Sequence, residues 1–233
     1  ATRHTDIAFL HYRSGAFMQE RARKLGIDMV QDTALSLAAA SDDPISGGRH
    51  KVWGSVPLWV PPQTSTIASH LPKAVGTAVA IAQAKRIGAQ LPIPEDSIAV
   101  CSFGDASANH STAVGAINAA QWTAFQRLPC PILFICEDNS IGISVKTPAG
   151  WIAANYSDRV GLEYISADGT DVVDTYAKAL EAVEHCRSAR TPVFLHLKLV
   201  RLLGHAGTDA ETEYRSAEEL DATEARDPLL VSA

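Results

Sequence analysis

Three stretches of this chain are apolar at nearly every position rather than at every second one: "SIAVCSF" (97–103), "CPILFIC" (130–136) and "TPVFLHLKLV" (191–200). A strand with one wet face alternates apolar and polar residues, so a strand with no wet face must be covered on both sides. The segments between them are too long for hairpins. "HSTAVGAINAAQWTAFQRL" (110–128) and "TDVVDTYAKALEAVEHCRSA" (170–189) carry helical spacing instead. Apolar strands separated by helices predict an α/β fold: a mostly parallel sheet with helices on both faces. With 233 residues and 46% apolar content, one domain spanning 1–233 can bury a sizeable core.

The rest of the chain fits around that sheet. "DIAFLHYR" predicts a short strand ending at Tyr12 and Arg13, and residues 15–40 carry helical spacing. A Pro- and Gly-rich stretch follows, to be anchored by Trp53, Leu58 and Trp59; loops of this length in compact domains tend to be functional. In "LPKAVGTAVAIAQAKRIG", Pro72 suits a first helical turn and Gly88 an end, with Leu71, Val75, Ala78, Val79 and Ala82 on one face. The next helix should pack Val114, Ile117, Ala120 and Ala124. The net charge of −6 and the lack of a Lys/Arg cluster argue against nucleic acid, and no apolar run reaches the ~20 residues of a membrane span. Four cysteines without a CxxC pair read as reduced, buried thiols, hence a cytoplasmic setting. The chain starts in mid-pattern and reads as a piece of a longer polypeptide or complex.

In an open parallel sheet, ligands bind beyond the carboxyl ends of the strands. Asp105 follows the first apolar strand and Asn139 the second, 34 positions later, which is one crossover. If those strands are neighbours, a carboxylate, an amide oxygen and a nearby carbonyl form an all-oxygen set suited to Mg²⁺. Ala106 and Ser107 are small enough to let a phosphate approach free N–H groups behind Asp105. The other reading of Asp105 is a helix N-cap.

"GDASANHSTAVGAINAA…PCPILFICEDNSIGIS" resembles the thiamine diphosphate motif, Gly-Asp-Gly followed later by Asn-Asn. The chain is most similar to the alpha-type subunit of the decarboxylating component of 2-oxo acid dehydrogenases, from Tyr12 to Arg215. That resemblance implies the diphosphate-binding half of a thiamine diphosphate-binding fold. It implies Asp105, Asn139 and the Ile141 carbonyl as Mg²⁺ ligands. It implies Tyr12, Arg13, Gly104, Ala106, Ser107 and Arg201 around the diphosphate, Ser65 against the aminopyrimidine, and Ile67 as the residue that bends the cofactor. In some relatives the Ser65 segment also holds K⁺, which points to Thr64, Thr66, Ser69 and His70. His205 in "RLLGHAGTDAETEYR" would be the catalytic residue, its loop ordered by Arg201, Asp209, Tyr214 and Arg215. Without the resemblance, Ile67 reads as core, Arg13 as a surface Arg and His205 as a solvated loop residue.

The implied reaction is decarboxylation of a 2-oxo acid, of pyruvate or branched-chain type, with acyl transfer to lipoyl. The implied partners are a pyrimidine-binding domain or beta-type subunit and the lipoyl domain of an acyltransferase core, in a dimer or heterotetramer. A transketolase-like or acetoin-cleaving enzyme is the rival within the cofactor class. A nucleotide-binding module is the rival outside it, although no GxGxxG or GxxxxGK[ST] follows any strand. This chain departs from the family pattern at Ala106, where Gly is usual, and at Asp138, where the first Asn is usual. It also has Glu137 where some relatives carry a phosphate-binding Arg, and Ala206 at a regulatory serine position.

Overall fold

The computed structural model describes residues 1–233, the side chain of Lys85 excepted. Strands β1 (Ile7–Phe9), β2 (Ala99–Gly104), β3 (Ile132–Asp138), β6 (Glu163–Asp168) and β7 (Val193–Lys198) form one sheet in the order β1-β2-β3-β7-β6. Every pairing in it is parallel. A two-stranded hairpin, β4 (Ile141–Gly142) and β5 (Val145–Lys146), stands apart. The helices are α1 (Gly15–Leu25), α2 (Met29–Leu37), α3 (His70–Arg86), α4 (Ser111–Phe125), α5 (Trp151–Tyr156), α6 (Val172–Ala189), α7 (Ala217–Glu224) and α8 (Pro228–Val231).

The continuous apolar strands separate their side chains by parity, as a pleated backbone must. Ala99, Cys101 and Phe103 of β2 join Ile132, Phe134 and Cys136 of β3 in a core closed by α3, α4 and α5. Val100, Leu133, Val193 and Leu195 face the other way, against α1 and α6. Phe194 anchors the first core: it stacks on Tyr156 at 4.4 Å and meets Phe103 edge-on at 6.0 Å. Both faces of the sheet are thus dry, as the sequence requires. All four cysteines are buried and free, and burial pushes their thiols up, that of Cys130 to about 12. No helix among the described residues is long and apolar enough to cross a membrane.

Three details differ from expectation. The first strand stops at Phe9, and Tyr12 and Arg13 lie in a turn before α1 rather than on a strand. The stretch 15–40 is two helices, broken at Gly26, whose left-handed φ of 68° ends α1. In α4 the buried face is Ala113, Ala116, Ile117 and Ala120, and Val114 is on the outside with Trp122 and Phe125. The Pro-rich stretch is anchored as expected through Leu58, which is fully buried, and through Trp53, whose indole N–H donates to the Tyr12 carbonyl at 3.0 Å.

Candidate functional site

The parallel register sets Gly104 beside Glu137, and the Asp105 N–H continues the ladder to the Glu137 carbonyl at 3.2 Å. The tips of β2 and β3 are therefore neighbours, and Asp105 and Asn139 line one cavity of about 650 Å³. Tyr12, Arg13, Ser65, Ile67, Gly104, Ala106, Ser107, Ile141, Arg201 and His205 line the same cavity. Six parts of the chain supply these residues: the turn after β1, the loop before α3, the two strand tips, the β4–β5 hairpin and the loop after β7.

Asp105 is almost entirely buried, at 3% exposure, yet its side chain makes no N-cap bond to the turn it precedes. That removes the capping reading. Its partner is the Thr147 hydroxyl, which donates to Oδ2 at 2.5 Å. Burial pushes its carboxyl above the usual carboxylate range, opposed by Thr147 and reinforced by the charge of Asp138. A buried carboxylate whose donors are all neutral is stabilised by a cation. Asn139 Oδ1 accepts the Ile141 N–H at 3.2 Å, which fixes the bend between β3 and β4. Ser140 on that bend and Ile143 in the β4–β5 turn both carry positive φ, 61° and 58°. Such strain in a β-branched residue persists only where its surroundings impose it.

Asp138, the departure from the usual Asn, is turned away from the cavity. Its Oδ2 lies 2.9 Å from His196 Nε2. Burial pushes its carboxyl up, but the His196 and Ser140 contacts outweigh that and hold it below its ordinary range. The extra methyl of Ala106 is accommodated opposite Gly142: a Cβ there would come within 2.7 Å of the Ala106 Cβ.

Opposite the strand tips, the Arg13 guanidinium donates to the His205 carbonyl at 3.1 Å and lies 3.3 Å from its Nδ1. Arginine has only donors, so Nδ1 accepts and the ring proton is on Nε2. Burial, then Arg13 and Arg201, push the imidazole below its ordinary value. The loop after β7 is ordered by the residues expected. Buried Arg201 donates to the Ile143 carbonyl at 2.7 Å, to Glu211 at 2.9 Å and to the Tyr214 hydroxyl at 2.7 Å. Asp209 accepts the His205 N–H at 2.6 Å and the Tyr214 hydroxyl at 2.5 Å, and Arg215 holds Glu211 at 2.9 Å.

Ile67 is 51% exposed on the cavity wall, so the core-packing reading fails. The left-handed backbone of Ala68, φ 61°, follows it directly. Thr64 and Ser69 hydroxyls contact each other, Ser69 also donates to the Thr66 carbonyl at 2.9 Å, and His70 turns its Nε2 to the Ser102 carbonyl at 2.8 Å. His11, Lys51 and His110 also line the cavity and escaped the sequence reading, and Glu137, noted there only as a departure from the family pattern, lines it too. His11 had one available signal, its place directly before Tyr12 and Arg13. Lys51 lies in the long loop and comes to the cavity only through folding.

The donors at the strand tips are oxygens: one carboxylate, one amide and backbone carbonyls. Among the described residues no three His, Cys, Asp or Glu side chains cluster to hold a metal. A softer metal held by N and S ligands is therefore not what this site suits, whereas Mg²⁺ takes few protein oxygens and completes its shell with water and phosphate.

Known proteins resemble this chain along most of its length. The family described as "Dehydrogenase E1 component" matches residues 1–232. The 2-oxoisovalerate dehydrogenase subunit alpha of Bacillus subtilis is 30% identical over 205 residues, 86% of this chain and 58% of that protein. The testis-specific mitochondrial pyruvate dehydrogenase E1 component subunit alpha of Homo sapiens is 31% identical over 138 residues, 58% of this chain and 34% of that one. This chain thus spans less than two thirds of each relative's length. A crystal structure of a transketolase variant from Pichia stipitis overlaps 60% of this chain and 21% of its own, at 18% identity and a TM-score of 0.45. The match over nearly the whole sequence decides the assignment: this chain belongs to the dehydrogenase E1 component family.

Proposed function

We propose that this chain is the diphosphate- and Mg²⁺-binding part of a thiamine-diphosphate-dependent 2-oxo acid dehydrogenase acting on a pyruvate- or branched-chain-type substrate. The observation that carries the proposal is the buried carboxylate of Asp105 beside the tip of β3, in a cavity that also holds Arg13 and His205. When bound, thiamine diphosphate supplies the electron sink that lets a 2-oxo acid lose carbon dioxide.

The chain's own residues bind and orient. Asp105, Asn139 and the Ile141 carbonyl would hold Mg²⁺. The N–H groups of Ala106 and Ser107 and the Arg13 fork would take phosphate oxygens, Arg13 being charged at every working pH. Ser65 and Ile67 would face the ring system from the opposite wall. His205, neutral with its proton on Nε2, would present a hydrogen-bond donor at the mouth of the cavity. By the same resemblance potassium would sit at the segment of Thr64, Thr66, Ser69 and His70. The glutamate that activates the aminopyrimidine would come from a beta-type subunit or a pyrimidine-binding domain, and the acyl group would pass to a lipoyl domain. The working assembly is then a dimer or heterotetramer.

The test is calorimetric titration of thiamine diphosphate with and without Mg²⁺, on the wild-type protein with its partner and on Asp105→Asn. Binding should require the metal, and the variant should lose at least about tenfold in affinity, as metal-site residues do when removed. Metal-independent binding, or an Asp105→Asn protein that binds like wild type, sinks the reading.

A further inference from the structure

Two cavity residues, His11 and Glu137, have no role in the function proposed above. His11 stands between β1 and the Tyr12–Arg13 turn, and Glu137 is the penultimate residue of β3. The His11 Nδ1 accepts the Arg13 N–H at 3.1 Å. An accepting Nδ1 leaves the ring proton on Nε2. That nitrogen lies 3.0 Å from Glu137 Oε2, with the His11 and Glu137 side chains 13% and 29% exposed. Nε2 is buried and makes no aligned hydrogen bond to that oxygen, so the pair is a close contact between an imidazole N–H dipole and a carboxylate. Catalytic contacts are often misaligned in this way before ligand binds.

With one nitrogen engaged by the backbone and the other facing a carboxylate, His11 is not placed to exchange a proton with a ligand. What it can do is hold the turn. The Ser14 N–H returns to the His11 carbonyl at 3.1 Å, and the His11 N–H donates to the Ser14 hydroxyl at 3.3 Å. Beyond the turn, Tyr12 meets both His11 and His205 edge-on, at 5.7 and 5.6 Å. The Arg13 guanidinium grips His205. A continuous path therefore runs from the tip of β3 through His11 and the turn to His205. Glu137 also needs a partner on electrostatic grounds: a free carboxylate facing into a diphosphate cavity would repel the ligand, and one turned onto an imidazole N–H does so less.

We infer that Glu137 and His11 form a positioning pair, in which the Glu137 carboxylate orients His11 and His11 aims the Tyr12–Arg13 turn at the diphosphate and at His205. The inference rests on the proposed function. The logic is that of a carboxylate behind a metal-bound histidine, where the outer partner fixes tautomer and orientation and its loss costs about 10–100-fold in affinity.

The experiment uses the full chain with its partner subunit. It compares wild type, Glu137→Gln, His11→Asn and His11→Ala by calorimetry with thiamine diphosphate and Mg²⁺, by thermal unfolding, and by ¹⁵N-histidine NMR. In wild type the His11 ring should show the Nε2–H tautomer. Glu137→Gln should bind about tenfold more weakly with an unchanged unfolding midpoint. His11→Asn keeps an oxygen that can accept the Arg13 N–H, so it should retain more affinity than His11→Ala. Three results overturn the pairing: variants that bind like the binding wild type, an affinity loss that only follows the unfolding midpoint, or a His11 ring protonated on Nδ1. A wild type that does not bind at all would instead count against the functional reading, and with it against this role.

Discussion

Replacing Gly142 by Ala puts a methyl where the structure has no room for one. The new Cβ would lie 2.7 Å from the Ala106 Cβ, and 3.9 Å from the Val145 carbonyl oxygen. Carbon atoms rest at about 3.5–4.0 Å, so roughly 1 Å must be found by moving backbone. Neither methyl can rotate away, because each is fixed to its own main chain. Gly142 carries no left-handed φ, so the cost is steric and not conformational. Overpacking of this kind costs about 1–3 kcal/mol. For a chain of this size that lowers the melting temperature by about 2–12 °C. The displaced β4 carries the Ile141 carbonyl, so affinity for Mg²⁺ and thiamine diphosphate should fall as well. Ala106→Gly removes the obstructing methyl. A double-mutant cycle in urea should therefore show Gly142→Ala costing much less in the Ala106→Gly background, with a coupling of about 0.5–3 kcal/mol. If Gly142→Ala costs nothing alone, or costs the same in both backgrounds, the two methyl positions do not compete and the reasoning fails.

Two further outcomes are expected. The His205 imidazole should titrate below its ordinary 6.5 by NMR, and Arg13→Gln should move it back up by removing a neighbouring positive charge. Because the native ring binds its proton more weakly than the unfolded chain does, unfolding takes up a proton as pH falls through about 6.5. The contribution of neutral His205 to stability is then complete above that pH and lost below it; a ring titrating above 6.5 would reverse the sign. Arg201→Gln should leave Glu211 with Arg215 alone, remove the tie to the Ile143 carbonyl and uncover the loop 201–215. Each charged hydrogen bond lost costs about 1.5–3 kcal/mol, so amide exchange and proteolysis should accelerate there first, and uniform acceleration across the sheet would contradict a local role.

Residue pattern alone was enough to set the class of fold and the edge at which the site lies. Strands such as "CPILFIC" have no face that water could wet, so they must lie inside a sheet covered on both sides. Long helical stretches between them leave parallel pairing as the economical connection. A carboxylate and an amide directly after two such strands then belong at a ligand-binding edge. Local reading was weaker where a residue's surroundings come from distant chain. Val114 fits a helical stripe as well as Ala113 does, and only the packing of α3 against α4 decides which faces inward. The first strand was read past Phe9 because apolar Leu10 continues the pattern, while the backbone already bends toward the turn that Ser14 closes.

Tertiary structure alone decided how the site is wired. That β2 and β3 are neighbours, so that residues 34 positions apart share one cavity, is a matter of strand order, which no local pattern encodes. The contacts of Glu137 with His11, Asp138 with His196 and Arg13 with His205 join residues separated by tens to nearly two hundred positions. Such contacts form only when the whole sheet and its loops are assembled, because charge and hydrogen-bond partners are selected by distance in space rather than along the chain.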